Sequence, residues 1–250
     1  MVREPRIRPL EPEGKEAGGG DRLPTMISGL DERMGGGIPK GFLVLVAGPV
    51  GSLKSSICFS IALHAARRGA KSLYISLEQD SESLLGQMAS LGLDPSGVAG
   101  MQVVDLAGVR QDIDEERADW LESILGLLER YKRERGCDVL VLDSLDALYS
   151  LVTFTNPRRE LFHFFQRLRA LKATTLLVSE IGLDEKRFGK HGVEEFLSDG
   201  ILHLRLREVE SAQLTSVRRY VGVVKMRKTA HDTDYHPFLV TREGFELILK

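Results

Sequence analysis

A glycine-rich turn that ends in a lysine and a serine carries the clearest chemistry in this chain. It lies between an apolar run, Phe42 to Ala47, and a helix-like stretch that begins at Lys54. The turn reads Gly48-Pro49-Val50-Gly51-Ser52-Leu53-Lys54-Ser55. A phosphate loop needs backbone N–H groups aimed at phosphate oxygens, a lysine for the outer phosphates and a hydroxyl for Mg²⁺ at a helix start. The turn supplies these groups, so it predicts binding of a nucleoside triphosphate with Mg²⁺.

The predicted nucleotide contacts include the whole turn and the residue after it. A glycine-rich strand-to-helix turn with a solvated lysine is the simpler alternative, but the flanking strand and helix patterns favour a phosphate loop. The hydroxyl of Ser55 is also the predicted metal ligand. The residues assigned to the nucleotide are Gly48, Pro49, Val50, Gly51, Ser52, Leu53, Lys54, Ser55 and Ser56.

One residue departs from the phosphate-loop pattern, since Leu53 stands where a glycine normally precedes the lysine. Glycine there avoids a side chain beside the phosphates and permits unusual backbone angles, so leucine must adopt a helical φ or carry strain. Because a helix can start at this position, we expect ordinary helical geometry with the side chain turned from the phosphates. The hypothesis is retained nucleotide binding with slow hydrolysis.

An aspartate at the end of an apolar strand is the predicted metal holder. The stretch Cys137 to Ser144 contains four consecutive apolar residues followed by Asp143. In nucleotide-binding folds of this type such an aspartate holds Mg²⁺ through water. Many buried strands also end in an aspartate that caps a helix, and Asp146 is the alternative metal holder.

A glutamate follows another strand and is the predicted catalytic base. Glu78 comes directly after the run Tyr74 to Leu77, at the carboxyl end of the strand that follows the loop helix. Ligands bind at that end in open α/β sheets, and a carboxylate there can orient and deprotonate water. An exposed or capping glutamate is the alternative interpretation.

Short apolar runs alternate with amphipathic stretches over most of the chain. This alternation predicts βαβ units and a mainly parallel sheet, so the fold class is α/β. The predicted strands are Phe42 to Ala47, Ser72 to Leu77, Met101 to Asp105, Val139 to Leu142 and Thr174 to Ser179. The predicted helices run from Lys54 to about Gly69, Glu82 to Leu91, Asp114 to Arg135 and Arg158 to Lys172.

The two ends of the chain differ from this alternation. After Ser198 strands follow one another without helices, which predicts antiparallel additions to one end of the sheet. These strands are Gly200 to Arg207, Arg218 to Arg227, Pro237 to Thr241 and Phe245 to Leu249. Residues 1–20 are rich in Arg, Glu, Pro and Gly, so we predict a disordered arm before a single domain over residues 21–250.

Composition excludes several classes of protein. The chain has 250 residues, 42% hydrophobic and 28% charged, with a formal net charge of -2. This balance predicts a soluble globular domain without a global positive field for nucleic acid or membrane. No apolar stretch approaches the roughly 20 residues of a spanning helix. Cys58 and Cys137 form no metal or redox motif, so we place the protein in a reducing cytoplasm.

With these residues in place, the chain resembles the KaiC-like branch of the RecA superfamily, ATPases with a single RecA-type core. The resemblance covers about residue 22 to the end and implies a RecA-like P-loop NTPase fold with ATP and Mg²⁺ as ligands. Four stretches carry it: Thr25 to Asp31 with Gly35 to Gly41, Ser76 to Gln79, Leu176 to Glu180, and Phe196 to Gly200 leading to Lys225 to Arg227.

The resemblance assigns roles to individual residues. Glu78 matches the first of two consecutive glutamates, which is the general base of the family, whereas Gln79 departs from the second. Lys225 and Arg227 match a pair that reaches the γ-phosphate bound by a neighbouring subunit, and His231 matches a histidine beyond that pair. The implied assembly is a homohexameric ring with ATP at its interfaces and a regulatory or signalling role through an unknown protein partner.

Residues two apart on a strand share a face, so Lys225 and Arg227 can address one anion together. Without the resemblance, a solvated basic strand that discourages edge pairing is the simpler interpretation. With the resemblance, the pair is predicted to stabilise the charge of the transition state from the neighbouring subunit.

Two other functions remain open from the sequence. A recombination mediator would hold single-stranded DNA through the loop Gly182 to Glu195, in which basic residues surround Phe188, but four acids dilute its charge. A non-hydrolysing module would use ATP only to assemble the ring. The sequence disfavours a circadian autokinase, because the clock protein has two tandem cores and this chain has room for one.

Overall fold

The computed structural model of the chain describes residues 22–106, 120–181, 187–210, 215–241 and 244–248. Four predictions lie wholly or partly outside these residues. They are the disordered arm over residues 1–20, the beginning of the helix predicted from Asp114, the first part of the loop predicted from Gly182, and the last residue of the strand predicted from Phe245 to Leu249.

The elements follow the predicted alternation. The strands are β1 (Arg22–Leu23), β2 (Ile27–Ser28), β3 (Ile38–Pro39), β4 (Leu43–Gly48), β5 (Ser72–Ser76), β6 (Met101–Asp105), β7 (Val139–Asp143), β8 (Thr174–Glu180), β9 (Gly200–Glu210), β10 (Thr215–Met226), β11 (Tyr235–Thr241) and β12 (Gly244–Leu247). The helices are α1 (Lys54–Arg67), α2 (Ser81–Ser90), α3 (Trp120–Arg135), α4 (Leu145–Ser150), α5 (Pro157–Ala170) and α6 (Glu194–Leu197), with a 3₁₀ turn at Glu32–Met34.

Ten of these strands form one sheet in the order β2-β12-β11-β10-β9-β4-β8-β7-β5-β6. The strands from β9 to β6 in this order pair in parallel, while β9 to β12 form successive antiparallel pairs. The remaining two strands, β1 and β3, pair with each other. The predicted α/β class, the mainly parallel sheet and the antiparallel C-terminal strands are all confirmed.

The central strands are apolar because helices cover both faces of the sheet. Every residue of β4, β5 and β7 is buried. Along β4, Val44 and Val46 contribute to the core under α1, whereas Leu43 and Leu45 contribute to the core under α3 and α5. Each such leucine or valine stabilises the fold by about 1.5–3 kcal/mol relative to an exposed position. Such two-sided burial is typical of parallel strands, and the alternation of the two cores has the period of a strand.

Side chains at their first residues define the beginnings of several helices. The Asp80 carboxylate accepts a hydrogen bond from the backbone N–H of Ser83 at 2.8 Å, and Asn156 caps α5 in the same way before Pro157. Ser144 caps α4 through the N–H of Ala147 at 3.1 Å. Since α4 has only six residues, its pattern was too short for the sequence to predict it.

The predicted helices and strands of the parallel half agree with the structure to within two residues, except where α3 begins. Among the residues that the structure describes, no helix is both long and apolar enough to cross a bilayer.

Candidate functional site

The glycine-rich turn connects the buried strand β4 to helix α1 and folds around the carbonyl of Pro49. Lys54 Nζ donates to that carbonyl at 3.1 Å, and Ser52 Oγ donates to it at 2.7 Å. Gly48 has no room for a side chain, because a Cβ atom there would lie 2.8 Å from the Leu204 carbonyl oxygen. Gly51 has φ 82°, which glycine adopts without steric cost. The turn therefore has the compact form that a phosphate loop requires.

The helical backbone predicted for Leu53 is wrong. The residue has φ 72° and ψ 29°, in the left-handed region, immediately before α1 begins. For a residue with a Cβ this conformation costs about 1–2 kcal/mol. The half-buried side chain packs against the core under α1, so it is turned from the loop as expected. The loop thus keeps the backbone geometry that favours glycine and carries strain that a glycine would not.

The predicted metal holder lies next to the predicted metal-binding hydroxyl. Asp143, at the end of β7, is 7% exposed and accepts hydrogen bonds from the hydroxyls of Ser55 and Tyr74. Burial raises the pKa of Asp143 above its usual value, while the two hydrogen bonds and nearby Lys54 oppose the rise and Glu78 adds to it. A carboxylate and a hydroxyl are ligands suited to Mg²⁺. The residues present therefore fit a magnesium site at the start of α1.

The predicted base lies beside this pair. Glu78 follows β5, is exposed, and accepts a hydrogen bond from the hydroxyl of Ser144. Gln79 has a different environment, because its side-chain amide donates to Ser83 Oγ and Gln87 Oε1, both at 3.2 Å along α2. The residue that departs from the family pattern is therefore held on the helix surface, while Glu78 keeps an open carboxylate oxygen.

Asp146, the alternative metal holder, has a structural partner instead. Its Oδ2 accepts a hydrogen bond from the backbone N–H of Glu180 at 2.7 Å. Burial raises its pKa, and that hydrogen bond opposes the rise. Asp146 thus links α4 to the end of β8, which leaves Asp143 as the better candidate for the metal.

Carboxylates surround the loop lysine. Burial lowers the pKa of Lys54, while attraction to Glu180, Asp143, Glu78 and Asp146, in decreasing order, opposes the change. The ammonium of Lys54 is thus buried among carboxylates at the ends of three neighbouring strands. A bound phosphate would pair with the ammonium, and a bound metal ion would pair with the carboxylates. The electrostatics therefore point to the same edge of the sheet as the sequence.

Sequence reasoning missed three residues of this region. Tyr74 was visible only as an apolar strand residue, although its hydroxyl binds Asp143, and Glu180 was visible at a strand end but received no role. The third is Arg219 of β10, whose Nε donates to the Gly51 carbonyl at 3.2 Å. No local pattern can reveal that contact, because its partners are 168 residues apart.

The predicted trans-acting cations both bind α6. Lys225 Nζ donates to the carbonyls of Glu195 at 2.7 Å and Ser198 at 2.6 Å. Arg227 donates through Nη1 to Asp199 Oδ1 at 3.0 Å and through Nη2 to the Phe196 carbonyl at 3.1 Å. Burial lowers the pKa of Lys225, and the positive charge of Arg227 lowers it further. The side chains of Lys225 and Arg227 therefore both reach α6, as expected if they project from the same face of the sheet.

These cations lie far from the phosphate loop of their own chain. Lys225 pairs with Ile201, which pairs with Leu45 of β4, whereas the loop starts at Gly48. Leu45 and Gly48 are three residues apart, so at about 3.3 Å per residue Lys225 is displaced from the start of the loop by about 10 Å along the strand direction. His231 follows β10, and its Nδ1 donates to the Thr229 carbonyl at 3.1 Å.

The proposed DNA-binding loop lies partly outside the described residues, since residues 182–186 are not among them. Within the described part, Phe188 packs edge-on against the buried His203, with ring centroids 5.1 Å apart. The aromatic ring suggested for base stacking is thus in contact with β9, which favours a structural role.

The same family is indicated by sequence and by structure. The family described as "ATPase: KaiC" matches residues 23–250. A UPF0273 protein of Thermotoga maritima is 31% identical, over 89% of this chain and 94% of its own. The circadian clock oscillator protein KaiC of a Picosynechococcus species is 27% identical, over 92% of this chain but only 45% of its own length.

The crystal structure of a KaiC-like protein from Pyrococcus horikoshii superimposes with a TM-score of 0.78 at 25% identity, covering 91% of this chain and 99% of that one. This chain therefore belongs to the KaiC family of ATPases, in the RecA superfamily.

Proposed function

We propose that the chain is a Mg²⁺-dependent ATPase that works as a homohexameric ring, with ATP bound between neighbouring subunits. One observation carries the proposal. The phosphate loop, the hydroxyl of Ser55 and the buried carboxylate of Asp143 lie together near Lys54. Lys54 would leave the Pro49 carbonyl to bind the outer phosphates, and the loop N–H groups would bind the remaining phosphate oxygens.

Ser55 and Asp143 would bind Mg²⁺, and Glu78 would act on the water that attacks the phosphate. Bound Mg²⁺ neutralises phosphate charge and polarises the phosphoryl group. Ser55 would hold the metal by its hydroxyl, and Asp143 would hold it by its carboxylate. Glu78 orients the attacking water and accepts its proton, while the hydroxyl of Ser144 fixes one oxygen of that carboxylate.

A neighbouring subunit would complete the site. Lys225 and Arg227 lie at the opposite end of β4 from their own phosphate loop, so in a head-to-tail ring they serve the adjacent loop. Cations supplied in trans stabilise transition-state charge and account for about 10³–10⁵ in rate in related phosphoryl transfers. His231 would contact the same nucleotide.

Turnover in this ring would be slow. The left-handed Leu53 stores strain in the loop immediately before Lys54, which binds the outer phosphates in this proposal. A slow ATPase suits a regulatory or signalling ring that acts on a protein partner. Its two cysteines, Cys58 and Cys137, are buried and unpaired, which suits the cytosol.

The test measures ATP hydrolysis and particle mass on the same samples of wild type and Lys54→Ala. Wild type should form hexamers with MgATP and release phosphate, whereas Lys54→Ala should lose both nucleotide affinity and assembly. A wild type that stays monomeric at micromolar concentration with MgATP would overturn the ring. Stable MgATP-dependent rings without turnover would replace the ATPase with an assembly module.

A further inference from the structure

Helix α6 holds both predicted trans-acting cations although it is only one turn long. Its carbonyls, with that of Ser198, receive Lys225 and Arg227. A helix of four residues makes too few internal hydrogen bonds to be stable alone, because nucleation costs more than one turn recovers. The position of these carbonyls must therefore be fixed by contacts outside the helix.

Glu194, the first residue of α6, supplies such a contact. Its side chain is fully buried, with 0% exposed. Oε1 accepts a hydrogen bond from the His191 N–H at 3.1 Å, and Oε2 accepts one from the Val193 N–H at 2.9 Å. Gly189 packs so closely that a Cβ atom there would lie 2.4 Å from the Glu194 carboxyl carbon. The carboxylate thus holds the turn that leads into α6.

The same turn is braced against the body of the domain. The His191 ring packs edge-on against Tyr149 of α4 and against Phe154, with centroids 5.0 Å and 4.8 Å apart. Glu194 therefore connects a braced turn on one side with the carbonyls of α6 on the other. Arg169 supports the far end of α6 by donating to the Leu197 carbonyl at 2.8 Å.

We propose that Glu194 is a positioning residue that fixes α6 so that Lys225 and Arg227 reach the nucleotide of the neighbouring subunit. The inference rests on the proposed function, because it concerns the cations that act across the interface. Among the described residues, the Glu194 carboxylate makes no hydrogen bond to Lys54, Asp143 or Glu78 of its own chain, since its oxygens accept from the N–H groups of His191 and Val193. Its loss should therefore lower turnover at the adjacent site and leave ATP binding by its own loop unchanged.

The informative variant is Glu194→Gln, because it keeps the shape of the side chain. A carboxylate accepts through both oxygens, whereas an amide presents one acceptor and one donor. One of the two N–H groups would then face an NH₂ group and lose its partner. The matched control is Glu134→Gln, an exposed glutamate on α3 that is far in sequence from α6 and from the residues of the site.

The first measurement compares hydrolysis, ATP affinity and particle mass. Glu194→Gln should form rings that bind ATP as wild type does, with kcat reduced by about tenfold or more, as expected for a buried charged hydrogen bond. Glu134→Gln should retain wild-type turnover. Equal turnover in Glu194→Gln and wild type would overturn the proposal.

The decisive measurement uses mixed rings. Glu194→Gln subunits keep an intact base, and Glu78→Gln subunits keep intact trans-acting cations. Equal co-expression should therefore restore about a quarter of wild-type turnover, because about one interface in four combines both intact halves. If Glu194 acted within its own site, mixing would restore nothing.

A second mixture separates this inference from the function on which it rests. Arg227→Ala mixed with Glu78→Gln tests the trans-acting cations directly. Recovery in this mixture but not in the Glu194→Gln mixture overturns the role of Glu194 alone, and recovery in neither overturns the shared site. If Glu194→Gln does not assemble, Glu194→Asp takes its place in the same mixture, and the same outcomes decide.

Discussion

The two halves of the sheet place their functional residues at opposite ends. In the parallel half, the phosphate loop, Glu78 and Asp143 all follow the carboxyl ends of strands, so neighbouring strands deliver them to one edge. In the antiparallel half, β10 runs the other way and carries Lys225 toward the opposite edge. In the proposed ring, these two ends would meet between neighbouring chains.

The halves also differ in how firmly they hold their functional groups. Asp143 and Lys54 are almost fully buried in the parallel half, while the side chain of Arg227 is 49% exposed. The antiparallel half depends on a one-turn helix and on carbonyl contacts to position its cations. We therefore expect changes there to affect turnover strongly and nucleotide binding little.

The largest effect is expected in the antiparallel half. Arg227→Ala should lower kcat by about 10³–10⁵, because the neighbouring site loses the charge that stabilises its transition state. Nucleotide affinity, measured by titration with a fluorescent ATP analogue, should change much less. Arg218→Ala, an exposed arginine on the same strand, is the control. Equal losses in the two variants would mean that the whole strand, not this guanidinium, matters.

The next effect belongs to the parallel half. Glu78→Gln should lower kcat by about 10²–10⁴, since it removes the group that accepts the proton of the attacking water. Assembly with MgATP should persist, as judged by particle mass. Glu82→Gln, an exposed glutamate on α2, should have no effect. Wild-type hydrolysis by Glu78→Gln would transfer the base to another carboxylate, with Glu180 the first to test.

A smaller effect concerns the stability of the antiparallel half and its pH dependence. Burial, followed by repulsion from Arg205 and Arg207, lowers the pKa of His203 to about 4 from an ordinary 6.5. The unfolded chain therefore takes up a proton before the folded chain does, and stability falls as pH drops from 6.5 toward 4. Between pH 7 and 5 the contribution is about 2 kcal/mol.

Urea unfolding at the two pH values measures this contribution. The loss between pH 7 and 5 should be smaller in His203→Gln, which cannot titrate, and unchanged in His163→Gln, an exposed histidine on α5. An identical pH dependence in wild type and His203→Gln would show that the buried ring is not the titrating group.

The smallest effect is expected at the loop itself. Leu53→Gly should relieve about 1–2 kcal/mol of backbone strain, offset in part by the lost contact with the core under α1. Turnover should rise by less than about tenfold, measured by steady-state phosphate release. A fall in turnover would show that the leucine side chain supports the active loop rather than slowing it.

The sequence predicted what depends on local pattern. The loop, Glu78 and Asp143 each follow an apolar strand, and parallel strands bring their carboxyl ends together whatever the details of packing. The backbone of Leu53 was predicted wrongly because φ at one position depends on how the strand end and the helix start are joined. That geometry overrode the preference of leucine for a helical φ.

Other features depend on contacts between distant residues. The hydrogen bond from Arg219 to Gly51 requires the register of β10 against β9 and β4, which no local window contains. The role proposed for Glu194 also depends on distant contacts. Glu194 and Glu195 are equivalent in the sequence, and only the structure shows that Glu194 is fully buried. The family resemblance identified Lys225 and Arg227, but only the register shows that they lie away from their own loop.

The edge strand β2 pairs in parallel with β12, so Ile27 lies beside Phe245 near the other end of the chain. Chains are made from the amino terminus, and pairings between distant residues form late because closing a long loop is slow. Strands β4 to β8 can pair while the later strands are still being made. Synthesis on the ribosome therefore supplies all the strands of the nucleotide half first, and the edge at β2 can close only after β12 has been made.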